Sequence, residues 1–253
     1  MSPSTAPNLK AHLTQHLNDL RLPTICKLYE DLAIQATKNS ISYEQYLYDL
    51  MSSEYDEKWN KKIQRLLKTS RLPLGKRWDN FKQDRLPLKV RQQAEQLLTA
   101  NFLKQSINVL VFGLPGTGKS HLLCAIAQEL VKQGHSILFT TSTILVQELL
   151  MFKQRLELAK YLKRLSRYEA ILIDDIGYVQ QSREEMEVLF TLLADRYEHG
   201  SIMLTSNLPF SKWEQIFKDP MTTAAAIDRL VHHSIIIELN IPSYRMEIAK
   251  ESK

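Results

Sequence analysis

The most restrictive feature of this sequence is a glycine-rich octapeptide between a short apolar run and a helical stretch. The chain has 253 residues and seven glycines, and three of the glycines, at positions 113, 116 and 118, fall within six residues. They belong to the segment 113–120, Gly-Leu-Pro-Gly-Thr-Gly-Lys-Ser, which follows the apolar run 107–112. This segment matches the phosphate-loop pattern in full and in its strand–loop–helix context. The motif therefore predicts an α/β domain with a nucleotide site at the end of the first strand.

The residue types of this loop suit the binding of a polyphosphate. Glycines let successive backbone N–H groups turn towards the phosphate, because no Cβ blocks the approach. The helix that follows directs the positive end of its dipole at the same group. Lys119 is expected to reach the β- and γ-phosphates, and the Ser120 hydroxyl to ligate magnesium. The expected nucleotide contacts are Gly113, Pro115, Gly116, Thr117, Gly118, Lys119, Ser120 and His121.

A second apolar run ends in two carboxylates. Residues 170–175 read Ala-Ile-Leu-Ile-Asp-Asp, the Walker B arrangement. Parallel strands end at the same edge of a sheet, so Asp174 is expected beside the phosphate loop, where it would hold hydrated magnesium. Asp175 stands where many such ATPases place the glutamate that activates water. Because Asp is one methylene shorter than Glu, slow hydrolysis and ATP binding without turnover both stay open.

A polar residue also follows the run 201–206. Asn207 can hydrogen-bond the γ-phosphate or orient the attacking water, and the alternative is a turn cap before Pro209. We predict a catalytic role for Asn207 beside Lys119 and Asp175. The strand 201–206 is expected to lie between the phosphate-loop strand and the strand that ends in the two aspartates.

Apolar periodicity predicts two parts along the chain. Upstream helices and a Pro- and Gly-containing stretch precede an alternation of strands and helices, which is typical of a parallel sheet covered on both faces. Capping boxes mark three helix starts, at Ser42 with Gln45, Ser182 with Glu185, and Ser211 with Glu214. We expect an all-helical N-terminal domain over 1–70 for partner or DNA binding, a basic linker over 71–89 and an ATPase domain over 90–253. The predicted strands are 107–112, 136–140, 170–174, 201–206 and 234–239, and the helices between them are 119–133, 143–166, 183–199, and the pair 211–218 and 221–231.

Composition excludes several classes of protein. Two cysteines cannot form a disulfide framework, and the start of the chain has no apolar signal region. No apolar run approaches the roughly 18 residues of a membrane helix. The cytoplasm is therefore the expected compartment.

The charge is unevenly distributed. The net charge is +5, and from Lys58 to Arg91 there are twelve Lys or Arg residues against Asp79 and Asp84. A solvated helix face and a nucleic-acid contact both explain such runs. A second run lies within the predicted helix 143–166 and consists of Lys153, Arg155, Lys160, Lys163, Arg164 and Arg167.

Several motifs together resemble the AAA+ class, and within it the IstB-type transposition helper ATPases, relatives of the DnaC helicase loader. The resemblance covers about 107–245 and is weaker over 9–106. It implies an AAA+ domain with no separate C-terminal lid, ATP and Mg²⁺ as cofactors, a homo-oligomer on double-stranded DNA without sequence preference, and recruitment of a cognate transposase. The residues that carry it are Gly113–Ser120, Leu172–Tyr178, Leu204–Asn207, Ala226–Leu230 and Ser243–Arg245.

The resemblance also assigns roles to single residues. Arg229 aligns with the arginine finger that a neighbouring subunit inserts against the γ-phosphate, and a salt bridge to Asp228 or Glu238 is its alternative. Arg245 aligns with a sensor arginine and joins the cofactor-binding set, and a surface charge is its alternative. Trp78 and Phe81 resemble the stretch that packs near adenine, and plain packing is their alternative.

With this resemblance, the second basic run is expected to contact DNA phosphates from one broad helix face. Many members have Asp-Glu where this chain has Asp-Asp, so the identity of the catalytic base stays open. Two other functions also stay open, a replicative helicase loader and a P-loop phosphotransferase that acts on a small molecule.

Overall fold

The computed structural model describes residues 6–177, 182–213 and 220–251, and the chain divides into two compact units, 1–65 and 66–253. Helices α1 (Ala6–Asp19) and α2 (Pro23–Lys38) lie in the first unit, and α3 (Tyr43–Ser70) begins there. Within the described ranges, no helix combines the length and apolarity needed to cross a bilayer.

A carboxylate from α3 caps the amino terminus of α2. The residue that precedes α2, Leu22, offers no side-chain acceptor, and Pro23 has no N–H to satisfy. The next two N–H groups, of Thr24 and Ile25, donate to Glu54 Oε2 at 2.7 and 3.0 Å. A buried negative charge at a helix amino terminus is favourable, because it meets the positive end of the dipole. Glu54 therefore joins two helices of this unit.

The titration of Glu54 follows from these contacts. Burial by itself raises the pKa of Glu54, but the amides of Ile25 and Thr24 and the nearby Lys58 outweigh it and hold the pKa below its ordinary value. A lowered folded-state pKa adds stability above the unfolded-state pKa, about 4.3, and this stability is lost as the pH falls through the folded-state value.

Replacing Glu54 by alanine is expected to lower the free energy of opening α2 by about 2 kcal/mol at pH 7, because two N–H groups lose a charged acceptor. The difference between wild type and variant should shrink below about pH 4. Hydrogen exchange of the α2 amides at both pH values measures it. Glu57→Ala, which removes an exposed carboxylate from the same helix, should leave the exchange unchanged. Equal protection in the two variants would contradict the capping role.

The second unit is built on the predicted five-stranded parallel sheet. The strand order is β2-β3-β4-β1-β5, and every adjacent pair is parallel. The strand β4 lies between β1 and β3, as predicted. The strands are β1 (Asn108–Gly113), β2 (Ile137–Thr141), β3 (Ala170–Ile176), β4 (Ser201–Ser206) and β5 (Ser234–Leu239).

Helices cover both faces of this sheet. Along β1, Val109 and Val111 belong to one buried cluster, and Leu110 and Phe112 belong to the other. A strand that is apolar on both faces suits the centre of a parallel sheet. The helices are α4 (Leu88–Leu97), α5 (Asn101–Lys104), α6 (Lys119–Lys132), α7 (Ser142–Gln154), α8 (Leu158–Leu165), α9 (Arg183–Arg196), α10 (Pro220–Val231) and α11 (Tyr244–Glu251).

The three capping boxes have different outcomes. The box at Ser182 and Glu185 is complete, with both reciprocal hydrogen bonds. At Ser42 the hydroxyl accepts from the Gln45 N–H at 3.2 Å, but the Gln45 side chain donates to Asp49 instead. The third box needs position 214, which lies outside the described residues.

The predicted single helix over 143–166 is wrong, because α7 ends at Gln154 and a separate helix, α8, begins at Leu158. Leu156 has a φ of +56°. The N–H of Glu157 bonds to the carbonyl of Phe152, and that of Leu156 to the carbonyl of Lys153. This is a Schellman ending, which usually takes glycine at the left-handed position. Because α7 and α8 are separate helices, the helical spacing that placed the basic residues on one face does not hold.

The stretch predicted as a linker has local structure. It contains two short 3-10 helices, Trp78–Asn80 and Gln83–Arg85. We call residues 73–86 the strap. After the strap, Ala100, with a φ of +61°, separates α4 from α5.

Candidate nucleotide-binding site

The phosphate loop requires glycine at two positions. Gly116 and Gly118 have φ angles of +83° and +97°, where other residues are strained. A Cβ on Gly116 would collide with the Ser243 side chain, and one on Gly118 would lie 3.5 Å from the Phe81 ring. The backbone of the loop therefore packs closely against Ser243 at Gly116, where no side chain would fit.

Lys119 opens helix α6 and is buried at the base of the loop. Its ammonium group donates to the carbonyls of Gly113 and Leu114 at 2.8 and 3.0 Å. Burial lowers the pKa of Lys119, and the carboxylates of Asp175 and Asp174 oppose this effect. A desolvated ammonium beside a helix amino terminus has the chemistry needed to bind a polyphosphate.

Asp174 lies two residues before the end of β3 and is buried, with 5% exposure. Its Oδ1 accepts from the Thr205 hydroxyl of β4 at 2.6 Å. The same hydroxyl accepts from the Asp175 N–H at 2.9 Å. Thr205 thereby orients both acidic residues, and the sequence analysis did not identify it. The Leu-Thr-Ser-Asn motif contained the signal, because Thr205 lies on β4, two residues before Asn207, which follows the strand.

Asp175 lies in an irregular part of the sheet. The register between β3 and β4 shifts between Ile173 and Ile176, and Asp175 has a φ of +60°. Aspartate adopts this left-handed conformation more readily than most residues. Burial raises the pKa of Asp175, and the charge of Asp174 adds to the rise. The bulge directs the second carboxylate into the cavity described next.

A cavity of about 240 Å³ lies at the carboxyl edge of the sheet. Most of the predicted nucleotide contacts line it, together with two catalytic candidates. Gly113 and Asp174 adjoin it through their contacts with Lys119 and Lys76. The lining residues predicted from the sequence are Pro115, Gly116, Thr117, Gly118, Lys119, Ser120, His121, Asp175, Asn207 and Arg245.

Asn207 lines this cavity and carries an unsatisfied acceptor. Its Oδ1 is buried and has no hydrogen-bond partner in the part of the chain that the structure describes. Such an atom costs about 1–3 kcal/mol unless a ligand or water donates to it. The turn before Pro209 is capped by the Ser206 hydroxyl, which accepts from the Leu208 N–H at 3.1 Å. The capping role considered for Asn207 is therefore filled by its neighbour.

The strap forms one wall of the cavity. The side chain of Gln128 on α6 donates to the carbonyls of Pro73 and Lys76 at 2.8 and 3.2 Å. The His121 ring lies 5.1 Å from that of Phe81, and both line the cavity. The strap is thus attached to the helix that carries the phosphate loop.

The segment after β5 also lines the cavity, through Ile241, Tyr244 and Arg245. The Tyr244 N–H donates to the Gly116 carbonyl at 3.0 Å. Arg85 of the strap pairs with Glu247 at 2.7 Å and stacks on the Tyr244 ring at 4.9 Å. The sequence analysis missed these contacts, because α11 has no strong apolar period.

Arg229 lies away from this cavity. Its guanidinium donates to the Ala225 carbonyl at 3.1 Å and stacks over Phe190 at 4.7 Å. Asn108, at the first residue of β1, donates to the carbonyl of Leu230 at 3.1 Å. Because β1 spans six residues, or about 20 Å, Arg229 is at the opposite edge of the sheet from the phosphate loop. Neither of the ion pairs considered for it, with Asp228 or Glu238, is formed.

The residues of the second basic run lie on α7, on α8 and just after each of them. Their side chains make different contacts. Lys153 pairs with Glu187 at 2.9 Å, and Lys160 with Glu157 at 3.2 Å. Arg164 stacks over the Tyr161 ring at 4.7 Å. The structure gives no ion pair within the described ranges for the exposed Arg155, Lys163 and Arg167.

The parallel sheet, the phosphate loop and the two aspartates at the end of β3 define a P-loop ATP-binding protein with the AAA+ fold. The chain belongs to the IstB-like ATP binding protein family, which it matches over residues 15–252.

Two relatives carry names that describe them as insertion-sequence ATP-binding proteins. One, from Sinorhizobium fredii, is 40% identical over 245 residues, which are 96% of this chain and 82% of the relative. The other, from insertion sequence IS5376 of Geobacillus stearothermophilus, is 35% identical over 94% of this chain and 95% of its own.

Solved structures share the fold. The DnaC helicase loader aligns with a TM-score of 0.57 at 15% identity, over 67% of this chain and 98% of its own. AMPPCP-bound DnaA from Aquifex aeolicus aligns with a TM-score of 0.54 at 19% identity, over 72% of this chain and 56% of its own.

Proposed function

We propose that this protein is an ATP-dependent DNA-binding regulator that forms a homo-oligomer on target DNA and recruits or stimulates the transposase of its insertion sequence. The observation that carries the proposal is the convergence of Lys119, Asp175 and Asn207 on one cavity in a chain of the IstB family. The names of its relatives support transposition over helicase loading. We assign the transposase contact to the helical domain 1–70.

We infer that the groups around the cavity hydrolyse ATP. The Asn207 side chain, which lines the cavity, is suited to hydrogen-bond a water and so to hold it for attack on the γ-phosphorus. The Asp175 carboxylate takes the proton of that water as the new P–O bond forms and ADP leaves. Lys119 stabilises the charge on the phosphate oxygens.

The donor set also fits magnesium. The Asp174 carboxylate and the Ser120 hydroxyl offer the hard oxygen ligands that this ion prefers. When bound, the ion would neutralise charge on the β- and γ-phosphate oxygens.

Arg229 fits a role in a neighbouring subunit. The phosphate loop of the same chain is at the other edge of the sheet. If Arg229 completes a nucleotide site, that site must therefore belong to the next copy of the chain. A head-to-tail assembly satisfies this requirement, because it joins two different surfaces of the same chain.

Sedimentation tests the central claim. With ATP, magnesium and a 50-base-pair duplex, we expect a DNA-bound oligomer, and without ATP a smaller species that leaves the duplex free. Raising the salt should weaken the complex steeply, because binding rests on phosphate contacts. A monomer under all conditions would contradict the proposal and favour a P-loop phosphotransferase.

The same sedimentation assay tests the DNA-contacting residues. A variant with Arg155, Lys163 and Arg167 changed to alanine should lose affinity for the duplex about tenfold or more at moderate salt. The control removes three exposed basic residues elsewhere in the same unit, Lys104, Arg183 and Lys212. Equal losses in the two variants would show that net charge alone, and not these three residues in particular, holds DNA.

A further inference from the structure

The strap carries a lysine, Lys76, whose ammonium group lies near Asp174. Lys76 lines the cavity, and its ammonium lies 3.7 Å from Asp174 Oδ2. That separation is longer than a hydrogen bond. In the part of the chain that the structure describes, the three N–H donors of Lys76 make no hydrogen bond, so they are available to an acceptor in the cavity.

The backbone of Lys76 is fixed against the helix of the phosphate loop. The Gln128 side chain, buried on α6, donates to the Lys76 carbonyl at 3.2 Å and to the Pro73 carbonyl at 2.8 Å. The Lys76 N–H closes the turn by donating to the Pro73 carbonyl at 3.2 Å. Helix α6 therefore holds both Lys119, at its first residue, and the turn that presents Lys76.

The charges around the site favour a negatively charged partner for the Lys76 ammonium group. Asp174 is the residue suited to a divalent cation, and a cation bound there repels a second positive charge 3.7 Å away. A polyphosphate held by Lys119 would supply the compensating negative charge, because it carries several charged oxygens. A monophosphate would offer fewer oxygens to the two lysines.

We propose that Lys76 is a second phosphate-binding lysine, supplied by the strap, that contacts the terminal phosphates of the nucleotide from the Asp174 side. The inference rests on the proposed nucleotide site and adds to it a residue outside the phosphate loop. The strap then takes part in nucleotide recognition, in addition to joining α3 to the ATPase unit.

The test compares the dissociation constants of ATP, ADP and AMP by calorimetry. Lys76→Met keeps the aliphatic stem and removes the charge. We expect ATP binding to weaken about tenfold, as for the loss of one charge-assisted hydrogen bond, with a smaller loss for ADP. AMP binding should change less than about twofold, and Lys76→Arg should recover most of the ATP affinity.

Arg77→Met is the matched control, since it removes the adjacent charge of the strap, whose side chain is exposed and pairs with Asp79. It should leave all three constants unchanged. Equal weakening of ATP, ADP and AMP in Lys76→Met would mean that the residue only holds the strap, and no weakening would mean that it binds nothing. Either result overturns the inference while Lys119→Ala still impairs ATP binding. Failure of Lys119→Ala to impair binding would refute the nucleotide site itself.

Discussion

Replacing Lys119 by alanine is expected to weaken ATP binding by at least about 100-fold. We expect this to be the largest effect on ATP binding of any single substitution in the cavity. The reason is the environment of Lys119, a residue that is 6% exposed and whose ammonium group, within the described residues, donates its hydrogen bonds to the carbonyls of Gly113 and Leu114. Neutral carbonyls compensate a buried charge weakly, whereas phosphate oxygens compensate it in full.

Calorimetric titration with MgATP measures this effect. The matched control is Lys132→Ala at the last residue of α6, where the lysine is exposed and pairs with Glu129. The melting temperature without nucleotide checks that both variants fold. An unchanged dissociation constant for Lys119→Ala would contradict the assignment of the phosphate loop.

The phosphate loop and the sheet could be predicted because both depend on local patterns. The octapeptide at 113–120 contains its loop, its helix start and its lysine in consecutive residues. Five short apolar runs separated by helical stretches leave few arrangements besides a covered parallel sheet. The strand order, with β4 between β1 and β3, followed from the class that the motifs define.

Conformations that depend on unusual backbone angles could not be predicted. Leu156, after α7, and Ala100, before α5, adopt the left-handed backbone conformation although neither is glycine. No residue type in the sequence therefore marked these two interruptions between helices. Asp175 likewise has a positive φ inside a strand. The sequence shows two adjacent aspartates, but only the bulge shows how both can face the same site.

Contacts between distant segments were also missed. Lys76 and Asp174 are far apart in the chain, and their proximity depends on the turn that Gln128 holds against α6. Pro73 and Gly75 favour a linker over 71–89, because proline and glycine usually mark loops. In this protein the same residues shape the strap that closes one side of the cavity.

Replacing Arg229 by alanine is expected to lower the rate of ATP hydrolysis about 1000-fold in the assembled protein, as for the loss of an arginine finger. The dissociation constant for ATP should change less than about threefold, because Arg229 does not line the cavity of its own chain. Steady-state turnover on DNA and calorimetry measure the two quantities. Arg183→Ala, at an exposed position on α9, is the control.

Mixing two inactive variants decides whether Arg229 acts on its own chain or on the next. Asp175→Asn removes the base and keeps Arg229, whereas Arg229→Ala keeps the base. If the arginine works across the subunit interface, an equimolar mixture restores up to about a quarter of wild-type turnover, since one in four neighbouring pairs combines an intact base with an intact arginine. If both groups must be in one chain, no mixture recovers activity. Because Arg229 lies at the opposite edge of the sheet from Asp175, only the first result agrees with the geometry of this chain.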